Sequence, residues 1–343
     1  MKTAVVAYNL GGPDGPDAVR PFLFNLFNDP AIIRAPGPVR WLLARFLSGR
    51  RAPVAREIYA RIGGRSPILE ETRRQAAALE AALGDPDIRV FVAMRYWRPQ
   101  AAAVAGEVAA FAPDRIVLLP LYPQFSTTTT ASFEAAWRRA AAAGLGTRPA
   151  ASVCCYPEDG GFVAALADLT RAGWREAAAA GRPRVLFSAH GLPKKFVAAG
   201  DPYQDQVERT VAAVVARLGI PDLDHAVCYQ SRVGPLEWLG PYTDAEVRRA
   251  GAERRPLVVV PVAFVSEHSE TLVELDIEYR SLAIESGAPA YVRVPAVGTH
   301  PAFIDGLAAI VRDALDRPPG SAPPTGARRC PSSFGACPCA GRA

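Results

Sequence analysis

Short runs of consecutive apolar residues alternate along this chain with longer stretches in which apolar positions recur every three or four residues. The runs are Ala4–Asn9, Arg89–Met94, Arg115–Pro120, Ala150–Cys155, Arg184–Ala189, Asp224–Tyr229, Leu257–Val262 and Ala290–Val294. A strand that is apolar at consecutive positions has both faces buried, as in a parallel sheet covered by helices. Between the runs, segments such as Ile68–Leu83, Phe133–Ala143, Phe162–Ala180, Asp205–Leu218 and Asp244–Ala250 read as helices. The βαβα rhythm predicts a doubly wound α/β fold. The strands divide into two sets of four. Two similar Rossmann-like lobes follow, each a four-stranded parallel sheet flanked by helices: residues 1–160, then 161–317, with the boundary in the Tyr156–Gly161 turn.

Two segments break the rhythm. Arg34–Tyr59 sets Trp41, Leu42, Leu43, Phe46 and Leu47 among Arg40, Arg45, Arg50 and Arg51, and reads as an inserted amphipathic helix. Beyond residue 317 a tail, 318–343, opens with the Pro/Gly/Ser-rich stretch Pro318–Thr325, which reads as a linker, and ends in a cysteine cluster.

Composition narrows the picture. The chain has 343 residues, half of them hydrophobic, enough for two packed cores. The net charge of +5 is spread along the chain; it allows anionic ligands or lipid headgroups but forms no stripe for nucleic acid. Met1-Lys2-Thr3 leads directly into a short strand rather than a secretory core, and no apolar stretch reaches the ~20 residues of a spanning helix. The expectation is a cytoplasmic protein whose six cysteines are reduced or metal-bound.

Three segments carry candidate chemistry. His190 follows a buried strand in Phe187-Ser188-Ala189-His190-Gly191-Leu192-Pro193, held on a tight turn at the sheet edge where α/β sites form. A neutral imidazole there can bind a metal or take a proton; a turn histidine with a satisfied hydrogen bond is an equally good reading of it alone. Next, Glu270, Glu274 and Glu278 recur every four residues after the strand Leu257–Val262, with Glu267 one turn earlier. Such a run is usually a solvated acidic face. Among Leu272, Leu275 and Ile277 it could instead conduct a hard divalent cation or protons toward a histidine. Finally, Arg95 and Tyr96 close another strand, where a guanidinium beside aromatic rings suits a flat anion; an ordinary aromatic strand end is the commoner case.

His190 in its Ser-Ala-His-Gly-Leu-Pro turn, together with Ser266-Glu267-His268-Ser269-Glu270-Thr271-Leu272, resembles the two signature motifs of the ferrochelatase family. Asn9-Leu10-Gly11-Gly12-Pro13, Leu119-Pro120-Leu121-Tyr122-Pro123-Gln124 and Tyr229-Gln230-Ser231-Arg232-Val233-Gly234-Pro235 are similar to further family segments, in family order, from about Ala4 to Arg312. The resemblance implies a chelatase-like fold, with a porphyrin cleft between the lobes and ferrous iron and porphyrin as substrates. It implies that His190 and Glu270 bind the Fe²⁺ and handle pyrrole protons, facing each other from opposite walls of the cavity. Glu267, Glu274 and Glu278 would line the metal or proton path, and Leu10, Arg95, Tyr96 and Tyr122 would contact the porphyrin. It makes the Arg34–Tyr59 insert a lip whose apolar and basic faces suit peripheral contact with the inner membrane; a core-packing helix with snorkelling arginines is the alternative.

Cys330, Cys337 and Cys339 crowd into the last fourteen residues. Some ferrochelatases carry a [2Fe–2S] cluster on three cysteines near the carboxyl terminus and one distant cysteine, and this arrangement resembles theirs. The distant ligand of animal members would fall in Gln124–Thr129, which has no cysteine, so Cys155 or its neighbour Cys154 is the fourth candidate. A four-cysteine zinc site competes. Cys228 reads as a core thiol; His225 and His300 have no assigned role, and His268 points to another helix face than Glu270. The expected reaction is insertion of Fe²⁺ into protoporphyrin IX, a lyase step of haem synthesis. Coproporphyrin or another tetrapyrrole is the near alternative, and a non-catalytic haem- or metal-binding module the distant one. Asn9-Leu10-Gly11-Gly12-Pro13 lacks the spaced glycines of a dinucleotide site.

Overall fold

The computed structural model describes residues 1–142, 144–146 and 150–340; the expected helix end at Ala143 and the last three residues of the tail lie outside them. The chain forms two compact units. The first comprises Met1–Cys155 with Ala308–Arg329, and the second Tyr156–Leu307 with Cys330–Ala340. Residues 308–317, expected in the second lobe, therefore belong with the first, and the cysteine segment belongs with the second.

The sheet of the first unit has strands β1 (Thr3–Asn9), β2 (Ile88–Met94), β3 (Arg115–Pro120), β4 (Ala150–Val153) and β9 (Gly320–Ala322). Their order is β2-β1-β3-β4-β9, all parallel. Five strands replace the expected four because β9 arises inside the stretch read as a linker. It pairs Ala151 with Gly320, Ser152 with Ser321 and Val153 with Ala322. Ladder hydrogen bonds need only main-chain groups, so Gly-Ser-Ala can add to the edge without any apolar signature. Arginines hold the strand in place: Arg115 donates to the carbonyls of Leu315 and Arg317, and Arg317 to that of Pro323 at 2.7 Å. Helices α1 (Val19–Phe27), α2 (Gly37–Ala60), α3 (Ile68–Leu83), α4 (Ala101–Phe111) and α5 (Thr130–Ala141) belong to this unit. Tyr8 stacks on Phe133 at 3.9 Å at the centre of a core with Phe91, Val104, Leu118 and Trp137.

Helix α2 fills the Arg34–Tyr59 insert with its small side inward. Ala44, Ser48, Ala52 and Tyr59 are buried, and Ala52 and Tyr59 pack with Val19 of α1. The large apolar residues point out: Leu42 is 61% exposed, Phe46 63% and Trp41 46%. The core-packing alternative is thus not what this helix does with its greasy residues.

The second unit repeats the strand permutation. β5 (Arg184–His190), β6 (His225–Gln230), β7 (Leu257–Pro261) and β8 (Tyr291–Arg293) lie in the order β6-β5-β7-β8, all parallel. The strand order reverses between β5 and β7, the position where α/β sheets place ligands. Helices α6 (Gly160–Ala178), α7 (Lys194–Ala198), α8 (Tyr203–Leu218) and α9 (Thr243–Ala252) precede a π-helix over Glu270–Glu278. This runs into α10 (Tyr279–Glu285), and α11 (Pro301–Asp316) follows β8. The acidic run was expected on an α-helix; π-helical turns are rare and concentrate at functional sites.

Candidate active site

His190 is the last residue of β5 and Glu270 the first of the π-helix that follows β7, so both stand at the reversal point of the second sheet. Gly191 permits the turn: a Cβ there would lie 2.8 Å from the Gln230 carbonyl oxygen. The His190 ring nitrogen Nδ1 lies 2.6 Å from the Gly191 carbonyl oxygen. A carbonyl only accepts, so Nδ1 carries a proton, and in the neutral imidazole the lone pair is on Nε2. Nε2 stands 3.7 Å from Glu270 Oε1, with the two side chains 40% and 30% exposed.

That separation corrects the expectation of opposite walls. A flat ring held between the two groups would need roughly 7 Å, twice the ~3.5 Å contact distance of unbonded atoms. The space between the imidazole and the carboxylate is therefore too narrow for a flat ring. The gap suits an ion: two metal–ligand bonds of ~2.1 Å close a 3.7 Å gap at an angle of roughly 120°.

His268 turns out to serve Glu270. Its Nδ1 accepts the backbone N–H groups of Glu270 at 3.1 Å and Thr271 at 3.3 Å, capping the start of the π-helix. Its proton is therefore on Nε2, which lies 3.9 Å from Glu270 Oε2. The two histidines flank one carboxylate, each with Nε2 toward it.

Glu274 lies one step behind. Its carboxylate accepts from Gln230 Nε2 at 3.0 Å, Ser231 N at 2.9 Å, the Ser231 hydroxyl, and Tyr279 OH at 2.9 Å. Ser231 reaches it twice because its backbone is left-handed, with φ 63°, a conformation that costs a non-glycine residue about 1–2 kcal/mol. Burial raises the Glu274 pKa; the Ser231 and Tyr279 hydrogen bonds oppose that and the Glu270 charge adds to it. Glu278 ends the π-helix and is exposed. Glu267 leaves the file. Its carboxylate accepts from Arg293 Nη1 at 2.7 Å, Ala296 N at 3.0 Å and the Thr271 hydroxyl, so its lone pairs brace the loop rather than line a path. Gln230, Ser231 and Tyr279 had no role assigned from sequence. The Tyr229–Pro235 segment was the only signal for Gln230 and Ser231, and Tyr279 directly follows the acidic file.

The expected porphyrin contacts all fall at carboxyl ends of strands in the first unit: Leu10 after β1, Arg95 and Tyr96 after β2, Tyr122 after β3. Tyr96 is corrected: it is fully buried and its hydroxyl donates to Asp29 at 2.7 Å, so it has no surface open to a ligand. Arg95 retains 15% side-chain exposure.

All six cysteines are buried. Cys154 and Cys155 follow β4 with sulfurs 3.3 Å apart, and Cys330 Sγ accepts from Gln206 Nε2 at 3.2 Å. Among the described residues no group of three or more His, Cys, Asp and Glu is placed to hold a metal ion. Cys228 is a core thiol between Ser188 and Thr243, its pKa pushed up to about 12 by burial. Among the described residues no helix is long and apolar enough to cross a membrane.

The sequence profile of the Ferrochelatase family matches residues 2–315. A ferrochelatase of Caulobacter vibrioides is 55% identical over 99% of this chain and 98% of its own length. One from Phenylobacterium zucineum is 56% identical over the same shares. Among solved structures, the sirohydrochlorin chelatase SirB of Bacillus subtilis subspecies spizizenii, in complex with cobalt, superposes with a TM-score of 0.52. That alignment covers 92% of this chain and 96% of SirB at 13% identity, a likeness of fold alone.

Proposed function

The chain belongs to the ferrochelatase family and inserts ferrous iron into a porphyrin in haem synthesis, and on that premise we propose that protoporphyrin IX is the porphyrin and that His190 and Glu270 perform the insertion. The observation that carries this reading is the 3.7 Å pairing of His190 Nε2 with a carboxylate oxygen, at the point where the sheet order reverses.

The reaction exchanges two pyrrole protons for one Fe²⁺, so charge balances without an oxidant. The ion must shed water, and the pyrrole protons need an acceptor. His190 Nε2 accepts a proton or donates its lone pair to the ion; Glu270 supplies the charge that draws a dication to the same spot. Two ligands hold iron loosely enough to release it into four pyrrole nitrogens. Glu274, tied to Ser231 and Tyr279, relays protons or metal between Glu270 and the exposed Glu278. Arg95 pairs with a porphyrin carboxylate, and Leu10 and Tyr122 pack on the ring. Comparing initial rates of haem formation on protoporphyrin IX and coproporphyrin III tests the substrate; faster insertion into coproporphyrin overturns that part.

The outward apolar face of α2 supports a peripheral membrane role on the cytoplasmic side of the inner membrane. Leu42 and Phe46 share an open pocket of about 630 Å³ with Arg20, Arg45 and Arg50, a pairing of grease and positive charge that suits an anionic lipid surface. For the tail, a [2Fe–2S] cluster on Cys330, Cys337 and Cys339 with Cys155 or Cys154 rests on the resemblance of the cysteine spacing alone. The thiols are not gathered as a ligand set, and no step of insertion is routed through a cluster.

A further inference from the structure

We propose that Asp29 is a positioning residue for porphyrin binding: it fixes the Arg95 guanidinium so that Nη1 is presented to a porphyrin carboxylate. This rests on the reading above that Arg95 meets such a carboxylate. Asp29 lies just past the end of α1, far in sequence from any signature segment, and its carboxylate is 2% exposed. Every acceptor it has is engaged. Oδ1 takes the Ala31 N–H at 2.9 Å, closing a local turn. Oδ2 takes Arg95 Nη2 at 2.7 Å, Tyr96 OH at 2.7 Å and the Ser132 hydroxyl. Ser132 in turn accepts from Arg95 Nε at 2.6 Å. The guanidinium carbon lies 4.8 Å from the centroid of the Tyr96 ring.

The pattern assigns the donors of Arg95 one by one. Nε goes to Ser132 and Nη2 to Asp29, both inward, while Nη1 has no protein partner among the described residues. A free arginine has several rotatable bonds and loses much rotamer entropy on binding. Here that freedom is already spent on Asp29, Ser132 and Tyr96, so a ligand carboxylate meets a preorganised donor. Tyr96, buried and bonded to the same oxygen, acts as the floor of this device. Asp29 touches no substrate, so its influence runs through Arg95 alone.

The test uses the full-length enzyme with two substrates, a porphyrin dicarboxylic acid and its dimethyl ester. Asp29→Ala is expected to raise KM for the diacid about tenfold with kcat within about twofold, and to leave KM for the diester unchanged. Asp29→Asn, which keeps an acceptor for Nη2, is expected to restore most of the loss. Arg95→Ala is expected to raise KM for the diacid at least as far, and the Asp29→Ala/Arg95→Ala double variant no further, because both remove one contact. A variant that merely misfolds loses both substrates together. Three results overturn the proposal: an equal loss on diacid and diester, a lower KM for the diacid in Asp29→Ala, or additive losses in the double variant. If Arg95→Ala leaves the diacid KM unchanged, the reading of Arg95 fails and this inference with it; if only Asp29→Ala does, the inference alone fails.

Discussion

Glu270→Gln keeps the shape of the side chain and an oxygen ligand but removes the charge. If Glu270 draws the dication and shares it with His190, kcat for iron insertion should fall about 10²–10⁴-fold, the usual loss for a positioned acid–base or charged group. That is ~3–5 kcal/mol of transition-state free energy at 1.36 kcal/mol per decade. The 3.7 Å contact between His190 Nε2 and Glu270 Oε1 then fixes the behaviour of the double variant. Two groups that act on one ion cannot each be lost in full, so His190→Ala/Glu270→Gln should fall about as far as the worse single variant. The assay is anaerobic haem formation from protoporphyrin IX at varied Fe²⁺. Folding is controlled by the melting temperature, which should not drop: the Glu270 charge is one of the causes holding the Glu274 pKa up, so removing it relieves repulsion. Retention of kcat within about threefold would remove Glu270 from the chemistry. Multiplying losses, near 10⁶ for two losses of about 10³, would mean that the pair serves separate steps and the shared-ion reasoning is wrong.

Further outcomes follow from other parts of the molecule. Burial raises the Glu274 pKa above its ordinary 4.5, so the folded form binds this proton more tightly than the unfolded chain; its contribution to stability is full below that value and is lost as pH climbs through the folded pKa. Melting curves should show this fall above pH 4.5, and Glu274→Gln should abolish that part of the slope. In α2, Leu42→Glu/Phe46→Glu should cut binding to vesicles containing anionic phospholipid more than about tenfold, since each buried side chain is worth about 1.5–3 kcal/mol, with haem formation in detergent unchanged; full vesicle binding refutes the lip reading. Purified protein should be brown with about two iron and two acid-labile sulfide per chain, both lost in Cys337→Ser; colourless protein without sulfide, or with bound zinc, removes the cluster.

The alternation of apolar runs and helical stretches was enough to locate all eight principal strands, because a strand buried on both faces must be apolar at consecutive positions whatever it packs against. The π-helix shows where local pattern stops. Glu270, Glu274 and Glu278 were visible as a file, but an i, i+4 spacing does not reveal that the turn is widened, nor that Glu267 is drawn aside by Arg293 from β8. Gly320-Ser321-Ala322 resembles a linker in sequence although it forms β9, because main-chain pairing leaves no side-chain trace.

The sequence by itself determined the doubly wound architecture, the identity of the His190 and Glu270 segments and, through their motifs, the family. Only the tertiary structure decided that those two side chains stand 3.7 Å apart, that His268 caps the start of the π-helix beside Glu270, and that Tyr96 is buried against Asp29. The physical reason is one of range. Burial and helical period are properties of neighbouring residues and are written locally, whereas a hydrogen bond between Asp29 and Arg95 joins positions 66 residues apart, and only the folded path of the chain brings their atoms within reach.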